Sequence, residues 1–156
     1  MPIENEKDKQ IQDLLENNYP LKAIKVDFKD LNNKNLVIKS SFKEAYTRLN
    51  DEEKKDNWFY IGELNVRMNT INIVGLINMT VTQDGWLKIY WIETNKVFRN
   101  KGYTKEIIEY LKRYVQWKHW RGAIAVCEKT EDMHHFKFNG FKPLGNNSLE
   151  MKWENS

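Results

Sequence analysis

The chain has 156 residues, 40% of them hydrophobic and 13% aromatic, which is enough for one domain with its own core and too few for two. A formal net charge of +3 excludes a uniformly basic surface, and the supply of Trp, Tyr and Phe excludes a disordered chain. A single cysteine, Cys127, excludes an internal disulfide framework and a cysteine zinc cage; with no leader-like start and no apolar run of about 18 residues, the sequence predicts a cytoplasmic protein without a membrane span.

Residues 4–18 carry apolar groups only at Ile11, Leu14 and Leu15, a narrow stripe that predicts a short surface helix stopped by Asn17, Asn18 and Pro20. Two strand-like runs, Ala23–Phe28 and Asn35–Lys39, are separated by polar turn residues and predict a hairpin. Ser40 or Ser41 then caps a helix in which Phe42, Ala45, Tyr46 and Leu49 recur at helical spacing. Three β-rich runs follow, Trp58–Leu64, Thr70–Thr82 and Trp86–Thr94. The Asp84-Gly85 step between the last two is a tight-turn signal, so three consecutive antiparallel strands are expected.

Tyr103 to His119 is the most periodic segment, with Ile107, Ile108, Leu111 and Val115 on one face. Gly122 breaks it, Ala123–Cys127 reads as a short buried strand, and Glu131–Asn139 reads as a short helix closed by Gly140. Phe141–Leu144 and Leu149–Trp153 flank a Gly-Asn-Asn-Ser turn and predict a last hairpin.

The junction from Thr94 to Tyr103 carries the functional signal. A turn holding Arg99, Lys101 and Gly102 at a helix start gathers free N–H groups, the positive end of the helix dipole and two cations around one point, which is an anion site. Charge agrees with this placement: from Leu87 to Gly122 there are nine Lys or Arg against three Glu, a net of +6, leaving −3 for the remainder.

Arg99-Asn100-Lys101-Gly102-Tyr103-Thr104 resembles the pyrophosphate motif [Q/R]-x-x-G-x-[G/A] of the GNAT superfamily of acyl-CoA-dependent N-acetyltransferases, with Thr104 in place of the final small residue. Phe136-Lys137-Phe138-Asn139-Gly140-Phe141 resembles the family's Y-x-x-x-G-F, at the usual separation. The resemblance covers Trp58 to Trp153. It implies an α/β (α+β) fold with a mixed, mostly antiparallel twisted sheet, helices on both faces and splayed central strands. It also implies one domain, in which residues 1–57 form the substrate side and 58–153 the acyl-CoA-binding core. Acetyl-CoA is the implied co-substrate, an amine of unidentified nature the acceptor, and no metal is required; a monomer or homodimer is expected.

By position, the resemblance places the acyl-CoA arm beside Ile92 to Thr94, with the N–H near Thr94 polarising the thioester carbonyl. It places the diphosphate on Arg99, Asn100, Lys101, Gly102, Tyr103 and Thr104, and the end of the arm near Phe136. Phe136 stands where the family commonly has a Tyr that protonates the departing thiolate, and a phenyl ring has no proton to give. His134 and His135 in the same segment are the candidate acids, of which His135 is preferred. Glu93 is the candidate general base, acting directly or through water, with Tyr90 as the alternative. The missing Tyr also leaves open a catalytically inactive module that binds CoA, a protein or a nucleic acid. Cys127 has apolar neighbours and no evident base, and is expected to be a buried structural thiol; His119 is expected to complement a helix C-terminus. The cluster Tyr114, Trp117, Lys118, Trp120 and Arg121 could stack on single-stranded nucleic acid, but burial against the rest of the domain is the simpler expectation, and nucleic acid is not the expected partner.

Overall fold

The β-rich runs between residues 58 and 94 form the centre of a seven-stranded sheet. The computed structural model describes residues 21–26, 41–46, 57–65, 67–68 and 70–156. Its strands are β1 (Leu21–Lys25), β2 (Trp58–Asn65), β3 (Thr70–Val81), β4 (Trp86–Thr94), β5 (Gly122–Val126), β6 (Lys142–Pro143) and β7 (Glu150–Glu154), in the order β1-β2-β3-β4-β5-β7-β6. Among the described strands only β4 and β5 pair in parallel. A parallel pair needs a long crossover, and α2 (Tyr103–Lys118) supplies it. Two shorter helices, α1 (Lys43–Tyr46) and α3 (Met133–Phe138), complete the described elements.

Alternation along the strands builds two apolar layers. Phe59, Ile61, Ile77 and Met79 share a buried cluster with Ile107, Ile108, Leu111 and Val115 of α2, so the predicted helix face is the one that packs. Trp58, next to Phe59, points the other way and packs with Val26, Phe42, Ala45 and Leu76, which places α1 on the opposite side of the sheet. Gly75 permits the close seating of α2: a Cβ there would lie 2.7 Å from Ile107 Cδ1.

Local chemistry closes the β3–β4 hairpin. Gly85 takes φ 88°, the Thr82 N–H donates to Trp86 C=O at 2.9 Å, and the Trp86 N–H donates to Thr82 Oγ1 at 2.9 Å. At the end of α2, His119 adopts φ 57° and the Trp120 N–H donates to Val115 C=O at 3.1 Å. The helix therefore ends at Lys118 through a backbone cap, and Gly122 opens β5 instead of breaking the helix.

Other elements differ from the sequence expectation in identifiable ways. The run expected as Ala23–Phe28 is a strand from Leu21 to Lys25 that pairs with β2; its expected hairpin partner, Asn35–Lys39, and the helix over 4–18 lie outside the described residues. The expected helix over 131–139 is split into a 3-10 turn, Thr130–Asp132, and α3. The last hairpin is lopsided, because Pro143 has no N–H for a ladder and β6 is reduced to two residues at the sheet edge.

At the other end of the described strand order, β1 is tied to the core by a side chain. The Ala23 N–H donates to the hydroxyl of Tyr110, 3.1 Å away, and Tyr110 is 2% exposed. Tyr110→Phe strips that acceptor from a buried N–H, and urea unfolding is expected to show a loss of about 1–3 kcal/mol; an unchanged midpoint would mean that another group replaces the hydroxyl.

Candidate active site

The β4–β5 ladder stops early. Register runs from Trp86 opposite Gly122 to Ile89 opposite Ala125, and beyond Ile89 no described strand pairs with β4 on that side. On its other side β4 stays paired with β3 as far as Thr94, with a register shift that leaves Tyr90 as an extra residue between Ile89 and Trp91. The bulge reverses the faces. Ile89 belongs to the α2-side cluster and Ile92 packs against it, while the Thr94 hydroxyl meets Thr104 of α2 at 2.8 Å. Trp91 and Glu93 consequently face the α1 side.

Backbone directions follow from the ladder. The Asn95 N–H donates to Val74 C=O at 2.8 Å, and alternation turns the N–H groups of Thr94 and Ile92 away from β3, into the opening. Two amide donors thus line a strand edge that has lost its partner.

The anion turn lies directly beyond. After a 3-10 turn, Lys96–Phe98, the chain passes through Asn100 at φ 66° and Gly102 at φ 81° into α2. The first bond of α2 runs from the Glu106 N–H to Gly102 C=O at 3.3 Å, so the N–H groups of Tyr103, Thr104 and Lys105 precede the helix's own ladder. A Cβ on Gly102 would meet nothing within 4 Å, so the glycine serves its φ and leaves open space above the amides. Lys101 is exposed with its ammonium 5.9 Å from the Phe98 ring, and Tyr103 packs on that ring while its hydroxyl donates to Glu63 at 3.1 Å. Thr104 is explained by its bond to Thr94, which ties the end of β4 to the first turn of α2.

A cleft of about 90 Å³, open to solvent, lies in the gap between β4 and β5. Its walls include Thr104 and Ile108 of α2, Phe136 of α3 and Cys127 after β5, and on the α1 side Glu44, Tyr90 and Trp91. The gap therefore communicates with both faces of the sheet. Phe136 is buried against Phe141 at 5.2 Å between ring centres. His135 lines the cleft and is exposed, whereas His134 is exposed and not part of the lining. Burial, with Asp132 adding to it, pushes the Cys127 thiol up to about 11. Roughly one Cys127 in ten thousand is then ionised at pH 7, so iodoacetamide is expected to label the folded protein slowly there and faster as pH rises; rapid labelling at pH 7 would contradict this environment.

Glu93 is held from three directions. Its Oε1 accepts the Ala45 N–H of α1 at 2.7 Å and the Trp91 indole N–H at 3.2 Å, and its Oε2 lies 3.4 Å from an Arg99 guanidinium nitrogen. The side chain is 5% exposed, and burial, opposed in part by the hydrogen bonds from the Ala45, Trp91 and Glu44 N–H groups, raises its pKa above the ordinary 4.5. Arg99 also donates from Nε to Thr94 C=O at 3.5 Å. Its backbone belongs to the anion turn, yet its guanidinium is directed along the open edge of β4 toward Glu93. Sequence reasoning missed this pairing and the packing of Ala45 on Glu93, since contacts across 6 and 48 residues leave no local periodic signal.

The sequence-selected residues thus fall into one continuous region: Ile92 and Thr94 on the open edge, residues 99–104 at its end, and His135 and Phe136 across the cleft. Tyr114 of the aromatic and basic cluster is 3% exposed, with the Trp120 ring 5.6 Å away and the Lys118 ammonium over both rings, so it belongs to the core. Among the described residues no helix is long and apolar enough to cross a membrane.

No protein-family model and no curated protein matches the sequence. Solved structures do match. A Tyr-to-Phe mutant of the AtaT toxin, bound to the C-terminus of the antitoxin AtaR and acetyl-CoA, aligns with a TM-score of 0.58 at 11% identity over 87% of this chain and 94% of its own. Ard1 from Thermoplasma volcanium aligns with a TM-score of 0.54 at 12% identity over 88% of this chain and 99% of its own. An acetyltransferase of the GNAT family from Streptococcus pneumoniae aligns with a TM-score of 0.52 at 15% identity over 87% and 99%. The protein has the GNAT fold, a mixed and mostly antiparallel sheet.

Proposed function

We propose that the protein transfers an acetyl group from acetyl-CoA to a primary amine. The observation that carries this reading is the pair of outward N–H groups at Ile92 and Thr94 on a strand edge opened by the end of the β4–β5 ladder, continuous with the first-turn amides of α2. A diphosphate suits those amides, the space above Gly102 and the nearby charges of Lys101 and Lys105. The pantetheine arm of the same molecule suits the cleft, whose apolar wall is Ile92, Ile108, Val126 and Phe136. The AtaT structure solved with acetyl-CoA supports the same use of this fold.

In this reading the Thr94 N–H donates to the thioester oxygen as charge develops on it. The amine nitrogen forms a bond to the carbonyl carbon and the carbon–sulfur bond breaks, with no covalent intermediate on the protein. The departing amine proton passes through water to Glu93, which faces the α1 side and is too enclosed for direct contact. His135 gives a proton to the thiolate, and both groups re-equilibrate with solvent. The products are the amide and CoA thiol. The test is release of free thiol from acetyl-CoA across a panel of amines. Binding of CoA without thiol release from any amine would favour a non-catalytic CoA-binding module, a reading that rests on Phe136 occupying the place of a proton donor.

A further inference from the structure

Arg99 takes part in two structures at once. Its main chain begins the anion turn, and its guanidinium, 47% exposed on the side chain, reaches back to a carboxylate that is 5% exposed. The separation of 3.4 Å is that of a loose ion pair, and the Nε contact to Thr94 C=O at 3.5 Å is looser still. An exposed cation held weakly beside an anion site is available to that anion. By contrast, the bonds of Glu93 to the Ala45 N–H, the Trp91 indole and the Glu44 N–H come from α1 and β4 and do not involve the turn.

We infer that Arg99 is a positioning residue for Glu93, and that its guanidinium is shared between this carboxylate and a diphosphate seated on the turn. The inference rests on the acyl-CoA reading above and deepens it. With the turn empty, Arg99 stands 3.4 Å from Glu93 and favours its carboxylate form. With the turn filled, the diphosphate draws the guanidinium away, and Glu93 keeps its N–H donors from Ala45, Glu44 and Trp91. Among the described residues the charged groups facing Glu93 are Arg99 from the turn and Glu44 from α1; with Arg99 withdrawn, the remaining one repels negative charge. Glu93 therefore becomes a stronger base when the acyl donor is in place, which orders donor binding before proton removal.

Linkage makes this testable at equilibrium, without knowledge of the acceptor. If Glu93 and the diphosphate compete for one guanidinium, removing the carboxylate must strengthen the binding of the diphosphate. Calorimetric titration with CoA is expected to show that Glu93→Gln binds at least about 5-fold tighter than the wild type, that Arg99→Gln binds weaker, and that Glu93→Gln has no tightening effect once Arg99 is Gln. Inorganic pyrophosphate is expected to give the same signs. In the wild type, CoA affinity is expected to rise as pH falls through the titration of Glu93, and this dependence should vanish in Arg99→Gln. A merely structural Glu93 would give equal or weaker binding on substitution, and that result overturns the inference, as does tightening that persists without Arg99. Circular dichroism establishes that each variant is folded; should Glu93→Gln not be, the wild-type pH dependence of affinity decides the matter. A wild-type protein that binds pyrophosphate with these signs but not CoA would refute the acyl-CoA reading and leave the coupling intact.

Discussion

Gly102→Val is expected to weaken CoA binding by at least about 100-fold while lowering the melting temperature by roughly 2–8 °C. The two effects have different origins. Gly102 sits at φ 81°, where an L-residue costs about 1–2 kcal/mol, and in a domain of this size each kcal/mol moves the midpoint by about 2–4 °C. No neighbour lies within 4 Å of a Cβ at this position, so the fold has room for the side chain. The ligand does not: a branched side chain would occupy the space above the amides of residues 101–105. Each charge-assisted bond lost there is worth about 1.5–3 kcal/mol, and two such losses exceed a factor of 100. Wild-type affinity in the folded variant would remove the turn from the site.

Glu93→Gln is expected to lower kcat for the best amine by about 100- to 10,000-fold without raising the KM for acetyl-CoA. The pH profile sharpens the test. Burial raises the Glu93 pKa above 4.5, so the wild-type rate should climb with pH through a limb displaced upward from the ordinary carboxylate range, and the limb should be absent in the Gln variant. The same shift bears on stability with the opposite sense. A carboxyl whose folded pKa is raised gives its full contribution below 4.5, and that contribution is lost as pH rises through the folded value. Retention of most of kcat would reassign the base, with Tyr90 on the cleft wall as the next candidate.

The run from β4 through α3 was legible because its signals are local. Gly102 at φ 81° marks the junction of the 3-10 turn with α2, the helix period of Ile107, Ile108, Leu111 and Val115 is regular, and Gly140 at φ 91° closes α3. Those elements fix residues 92–104 and 136 in space, which is most of the candidate site. The face reversal at Tyr90 was not legible. Alternation read straight through the strand puts Glu93 on the same face as Ile89, and only the register against β3 shows the extra residue. Arg99 illustrates a second limit: its position in the turn motif is a local fact, whereas the direction of its side chain is set by Glu93 across the end of β4. The insertion of β7 between β5 and β6 was likewise invisible, since a hairpin specifies its own pairing but not which of its strands meets the sheet.

Crystals of the protein grown with CoA address the central claim most directly. The diphosphate oxygens should lie within hydrogen-bonding distance of main-chain N–H groups in residues 101–105, with the pantetheine arm running along Ile92 to Thr94 toward Phe136. A nucleotide seated elsewhere on the sheet, or an open β4 edge left empty at saturating CoA, would contradict it.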